Sequence, residues 1–119
     1  MSLKIKTQNP VDITVSDASV VKLTVIVGNA QIGGSIVQFD GDPKILAKGG
    51  VNGLPLGQGI NLKGKKLLVT TNVLDSNPSS MRIAVKHQFE NGTPAEARLS
   101  DKVDNAGDTF SWVTTYNFK

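Results

Sequence analysis

The chain of 119 residues contains no cysteine. Disulfides, thiolate metal sites and a cysteine nucleophile are therefore excluded. It has one histidine, His87, which rules out the common zinc sites built from several imidazoles. Glutamate is almost missing, with only Glu90 and Glu96, and there are two methionines and seven alanines. A helical domain of this length draws heavily on Ala and Glu, so this is not a helical composition. Long hydrophobic runs are missing as well. The longest stretch without a charge, residues 23–39, holds three Gly, one Asn and two Gln, and falls short of the ~18–20 apolar residues of a membrane span. Residues 1–10 have no apolar core of the kind a signal peptide needs. With the lack of cysteine, this points to a cytoplasmic protein.

What is present points one way. Thirteen Val, eight Ile and nine Thr make a quarter of the chain β-branched. Such residues lose χ1 freedom in a helix and pack well on a pleated sheet. Twelve Gly, nine Asn, eight Asp and five Pro supply turns. The formal charge is +3, spread over both halves with no acidic or basic tail. No internal repeat or linker divides the chain, so one domain over 1–119 is expected.

Period-two patterning supplies the strands. Val11–Val15 and Val20–Val27 alternate early in the chain. Residues 31–39 read as a strand whose apolar parity changes, with Ile32 and Ile36 on one side and Val37 and Phe39 on the other, which suggests a bulge or a bend between sheets. Residues 44–47 suggest a short strand. Residues 49–59 contain five glycines and no charge, and form the longest loop, ordered around Val51, Leu54 and Leu56 and crossing between sheets or lining a ligand. Residues 65–74 and 81–89 are strands, with Leu67, Val69, Thr71 and Val73 on one face of the first and Met81, Ile83, Val85, His87 and Phe89 on one face of the second. Asp75-Ser76-Asn77-Pro78 between them is a turn.

The next hairpin tests register. A two-residue loop at Asn91-Gly92 would put His87 opposite Glu96 and Val85 opposite Arg98. A three-residue loop, Asn91-Gly92-Thr93, puts Phe89 opposite Ala95, His87 opposite Ala97 and Val85 opposite Leu99. A one-residue slip exchanges the two faces, so the register that keeps the apolar face whole is the expected one. The last strand, Thr109–Phe118, carries four of the six aromatics at even positions: Phe110, Trp112, Tyr116 and Phe118. Eight or nine strands with little or no helix predict an all-β fold, a two-layer antiparallel β-sandwich with the jelly roll as one form of it and a closed barrel as the alternative.

Catalytic motifs are missing: there is no Gly-x-Ser-x-Gly elbow and no His-Glu-x-x-His. His87 lies on an apolar strand face and reads as a core histidine. Glu90 and Glu96 flank a hairpin and read as surface charge. Two ligand hypotheses remain. Asp40 and Asp42 in one loop and Asp101, Asp104 and Asp108 in another are the candidate oxygen ligands for calcium, although Asp is also the ordinary turn residue. Trp112 and Tyr116 are the candidate stacking residues for a carbohydrate, although a domain with six aromatics needs most of them inside. The run Lys63-Gly64-Lys65-Lys66 is too short, and exposed aromatics too few, for a nucleic-acid partner to be favoured. The leading expectation is a non-enzymatic domain that binds a protein partner or itself, with a lectin-like or C2-like ligand module second.

Overall fold

A computed structural model describes residues 3–28, 31–76, 79 and 81–119. Asn77 and Pro78 of the expected turn, and Asn29 after the third strand, lie outside the described residues. The strands are β1 (Leu3–Thr7), β2 (Val11–Val15), β3 (Val20–Val27), β4 (Ile32–Phe39), β5 (Ala47–Gly49), β6 (Leu54–Gln58), β7 (Lys66–Leu74), β8 (Arg82–Glu90), β9 (Gly92–Thr93), β10 (Glu96–Lys102) and β11 (Thr109–Phe118). One helical turn, α1 (Gly59–Leu62), precedes β7.

The strands form two packed sheets, an all-β sandwich. The large sheet runs β5-β4-β7-β11-β2-β9, with β1 also paired to β11, and the small sheet runs β10-β8-β3-β6. Two pairings depart from the expected antiparallel arrangement: β1 and β2 both run parallel to β11, with the chain leaving the ladder between Thr7 and Val11. Pro10 has no amide hydrogen to give to the ladder, which suits it to the break.

Period two is obeyed where one face is buried. Along β7 the buried positions are Leu67, Val69, Thr71 and Val73, and along β8 they are Ile83, Val85, His87 and Phe89. The hairpin register is the one that keeps the apolar face whole: His87 pairs with Ala97 and Val85 with Leu99, and the Phe89 amide donates to the Ala95 carbonyl at 2.7 Å. Within that loop, β9 reaches across the sandwich and pairs with β2, Thr93 opposite Thr14 and Gly92 opposite Val15. A Cβ on Gly92 would sit 2.8 Å from the Ile13 side chain, so the crossing needs glycine.

Two expectations change, and one alternative is decided. The strand 31–39 has no bulge: β4 pairs with β7 through eight consecutive residues, Ile32 to Phe39. Its apolar parity changes because both faces of the large sheet carry apolar side chains there. The expected strand at 44–47 forms later, as β5. The glycine-rich segment 49–59 is the crossing between sheets, leaving the large sheet at β5 and joining the small sheet as β6, with Val51 buried beneath it. Three strands that patterning did not suggest, β1, β6 and β9, bury no residue completely.

The core has two apolar clusters. Ile13, Leu23, Val37, Leu67, Val69, Phe89, Tyr116 and Phe118 belong to one, and Val73, Ile83, Val85, Leu99, Phe110 and Trp112 to the other. Gly59, at the start of α1, lies against the Ser16 backbone so closely that a Cβ would overlap the Ser16 carbonyl oxygen. Gly59→Ala is expected to destabilise the fold by more than about 2 kcal/mol in denaturant titration, an overpacking cost against rigid backbone. Gly50→Ala, where a Cβ meets nothing within 4 Å, is expected to stay within about 0.5 kcal/mol of the parent.

Candidate functional site

His87 sits between the two core clusters and is completely buried. Its Nε2 lies 2.9 Å from Thr71 Oγ1, and its Nδ1 lies 2.6 Å from the Tyr116 hydroxyl. Thr71 Oγ1 is in turn 2.9 Å from Ser35 Oγ. One polar chain therefore crosses the interior from β8 in the small sheet to β11, β7 and β4 in the large one. A neutral imidazole has one donor and one acceptor nitrogen, and the two tautomers run this chain in opposite directions. Burial pushes the His87 pKa down to about 4, so the ring is neutral at pH 7. Burial also pushes the Tyr116 hydroxyl up. With the imidazole enclosed, its chemistry is structural: it satisfies hydroxyls that would otherwise be unpaired in the core.

The sign of the acid response follows. The unfolded chain takes up the His87 proton near pH 6.5, while the folded chain resists until about pH 4. Stability is complete above pH 6.5 and falls as the pH drops towards 4, by about 3 kcal/mol from this one group. His87→Leu is expected to lose about 2–4 kcal/mol at pH 7, because Thr71 and Tyr116 lose their partner. Its deficit should shrink on acidification to pH 4.5. A deficit that stays constant with pH would remove His87 from the acid response.

Trp112 and Tyr116 are both completely buried, as are Phe110 and Phe118 at the other even positions of β11. The aromatic row faces the core, so the proposed sugar platform of Trp112 and Tyr116 does not form. Trp112 packs on Phe110 at a ring separation of 4.3 Å, and Tyr116 packs edge-on to Phe89 at 4.7 Å. The side-chain count explains the correction: with so few aromatics, the only way to fill the space between two sheets is to use them. Trp112 emission is expected to be blue-shifted and poorly quenched by iodide until the protein unfolds. Ready quenching in the native protein would contradict this placement.

The five aspartates do not come together. Asp40 donates its amide to the Lys66 carbonyl at the start of β7, while the Asp108 carbonyl accepts from the Asp75 amide just beyond its end. The two loops are therefore separated by the length of β7, roughly 30 Å at ~3.3 Å per residue. Asp42 accepts from the Lys44 amide at 3.0 Å, and Asp108 Oδ2 from the Asn105 amide at 3.1 Å, as turn residues do. Asp101 points towards Lys6 at 3.3 Å and Lys4 at 3.8 Å. Its pKa is lowered, first by the Lys102 amide and then by these lysines. Asp104 is exposed. Among the described residues no group of three or more His, Asp or Glu gathers as a metal site. The lysine run is also divided: Lys63 pairs with Asp17, and Lys65 lies over the Phe39 ring at 5.1 Å.

The two outward sheet faces are the distinctive surfaces, and they differ sharply. On the large sheet, register stacks Ile32, Leu74, Thr109 and Leu3 in one row across β4, β7, β11 and β1. The next rows are Gly34, Asn72, Ser111 and Ile5, then Ile36, Thr70, Val113 and Thr7, then Gln38, Leu68 and Thr115. No residue of β4, β7, β11 or β1 in these four rows is charged; Lys48 of β5 continues the third row beside Ile36, and Lys66, Asn117 and Asp12 make the row that follows. Leu3, Ile5 and Ile32 are 60–65% exposed, and Leu74 39%.

The small sheet presents the opposite character. Lys22, Arg82, Lys86, Arg98 and Lys102 face outward with Glu90 and Glu96. That excess of three cations equals the formal net charge of the whole chain. Patterning holds a trace of both faces: the Ile32/Ile36 parity and the Leu3-Lys4-Ile5-Lys6 alternation mark the first, and the even-numbered cations of β8 and β10 mark the second.

Comparison with known proteins finds no match: no family model fits the chain, and no curated protein or solved structure is significantly similar to it.

Proposed function

We propose that this chain is a non-enzymatic β-sandwich that works by protein contact, and that the outer face of its large sheet takes a second copy of the same chain. The observation that carries the reading is the uncharged face of β4, β7, β11 and β1, with Leu3, Ile5, Ile32 and Leu74 exposed together at one end of it. Contiguous exposed apolar surface of this kind marks contact sites more often than bare solvent-facing sheet. A face without charge meets its own copy across a two-fold axis without repulsion. The cationic face of the small sheet does not.

The sheet edges favour a face over an edge as the contact. Edge strand β5 has three residues and β9 has two, the five-residue edge strand β1 carries Lys4 and Lys6, β6 contains Pro55, and β10 carries Glu96, Arg98, Asp101 and Lys102. Short, proline-bearing and charged edges resist strand addition. In a two-fold pair, covering the exposed parts of the four large side chains from each copy contributes on the order of 1 kcal/mol per side chain. Association costs about 4–15 kcal/mol, so the expected dimer is weak and concentration-dependent. No helix among the described residues is long and apolar enough to cross a membrane, so the apolar face is not explained by a helical span.

Sedimentation equilibrium across a concentration series is expected to show reversible dimerisation. Ile5→Lys with Ile32→Lys should abolish it while leaving the melting temperature of the dilute protein within a few degrees of the parent. A parent chain that stays monomeric at every concentration would sink the reading.

A further inference from the structure

Asparagine followed by glycine occurs twice in the chain, at Asn52-Gly53 and Asn91-Gly92. Asparagine is among the chemically labile side chains. At such a step the glycine nitrogen reaches the asparagine side-chain carbonyl readily, because no Cβ on the second residue stands in the way. The fold treats the two steps differently. Asn91 donates from Nδ2 to the Val20 carbonyl at 2.8 Å, which holds its side chain on β3. Gly92 is fixed as well: it pairs with Val15, and a Cβ there would lie 2.8 Å from the Ile13 side chain and 3.1 Å from that of Phe89. Asn52 lies in the crossing between β5 and β6, and both it and Gly53 are exposed. Among the described residues the Asn52 side chain has no hydrogen-bond partner. A Cβ on Gly53 would meet nothing within 4 Å. The residues on either side of Asn52 are tethered to β3. There the Val25 amide donates to the Val51 carbonyl at 3.0 Å, and the Gly53 amide donates to Thr24 Oγ1 at 3.0 Å.

We propose that Asn52 is a site of spontaneous deamidation and that the Thr24 hydroxyl sets its rate. The Gly53 nitrogen loses its proton and forms a bond to the Asn52 side-chain carbonyl carbon. The bond from that carbon to Nδ2 breaks, and Nδ2 takes up a proton and leaves as ammonia. Water then opens the cyclic succinimide at either of its carbonyls. One product is aspartate at position 52. The other is isoaspartate, in which the main chain runs through the former side-chain carbonyl. The balance is one water taken up and one ammonia released, with no oxidant, metal or enzyme. The attacking nitrogen is the one whose N–H is bonded to Thr24 Oγ1, so that bond must break before the ring closes. At Asn91 the ring closes only if Nδ2 leaves the Val20 carbonyl and the Gly92 backbone moves against Ile13 and Phe89. Either product at position 52 is a carboxylate and lowers the formal net charge of +3 by one. Isoaspartate also adds a backbone carbon between the two tethers, just before β6 joins β3 with Leu54 opposite Leu23. The site is at the edge of the small sheet, so it stands or falls separately from contact through the large one.

Incubation of the purified chain at mildly alkaline pH tests the proposal. Ion exchange collects the more acidic form, and peptide mapping by mass spectrometry locates the change. Conversion at Asn52 is expected to be at least about tenfold faster than at Asn91, which must first give up its own hydrogen bond. In concentrated urea the two steps should convert at similar rates, because the difference belongs to the fold. Thr24→Val keeps the branched shape and removes the acceptor, and should speed conversion at Asn52 about threefold or more. Thr24→Ser keeps the hydroxyl and should keep the parent rate. Asn52→Gln, whose longer side chain disfavours ring closure, should remove the acidic form. No conversion at Asn52, equal rates at the two steps in the folded chain, or a difference that persists in urea would each overturn the proposal. An Asn52 rate that Thr24→Val leaves unchanged would overturn the role of the hydroxyl.

Discussion

The interior polar chain from His87 is the constraint around which the sandwich is arranged. It joins β8 of the small sheet to three strands of the large one through hydrogen bonds of 2.6–2.9 Å. Apolar contacts between two sheets tolerate some sliding, since one aliphatic surface packs on another with little direction. A buried hydroxyl and a buried imidazole do not tolerate it, because a shifted register leaves donors and acceptors unpaired at ~1–3 kcal/mol each. The layer also divides the core. Phe89 and Val85, on either side of His87, belong to different apolar clusters, as do Val69 and Val73 on either side of Thr71.

With the two sheets held in one alignment, the outward faces are determined by alternation alone. On the large sheet the outward residues of β4, β7, β11 and β1 are displayed in rows set by their pairing, and the four rows that run from Ile32 to Gln38 along β4 lack charge, with Lys48, Lys66 and Asp12 at their margins. The small sheet displays the net charge of the whole molecule. A sandwich needs solubility, and one charged face supplies it for both. That division leaves the other face free to be uncharged, which is an unusual condition for a surface facing only water. Protein contact gives that condition a physical reason, whereas the ligand hypotheses lose their geometry: the aspartates are distributed to opposite ends of β7, and the aromatics are consumed by the core.

Particular elements show how much was legible. The fold class, the strands at Val11–Val15, Val20–Val27 and Thr109–Phe118, and the register of the β8–β10 hairpin were all readable, because each has one buried face and a one-residue error would bury charge. The parity change in β4 was readable as a fact but misleading as a signal, since apolar residues on two faces look like a bulge in one dimension. β1 was missed although Leu3-Lys4-Ile5-Lys6 alternates: its five residues are all exposed, so the alternation sorts an uncharged outer face from lysines and not a core face from solvent. The candidate surfaces were only partly legible. Cations at alternate positions of β8 and β10 were visible, but their confrontation across the sheet existed only once register was known.

By itself the sequence determined an all-β domain with no thiol chemistry, one histidine on an apolar strand face, and an inventory of turns. These follow from local chemistry: β-branched side chains prefer extended backbone, and alternation records which face avoids water. Only the tertiary structure decided that His87 would be the hub of a buried polar chain, that Trp112 and Tyr116 would point inward, and that Asp40 and Asp108 would stand at opposite ends of one strand. It also decided that four strands distant in sequence would assemble one uncharged surface. Each of these depends on contacts between residues far apart along the chain, and such pairings are set by the packing of whole sheets, which no local pattern encodes.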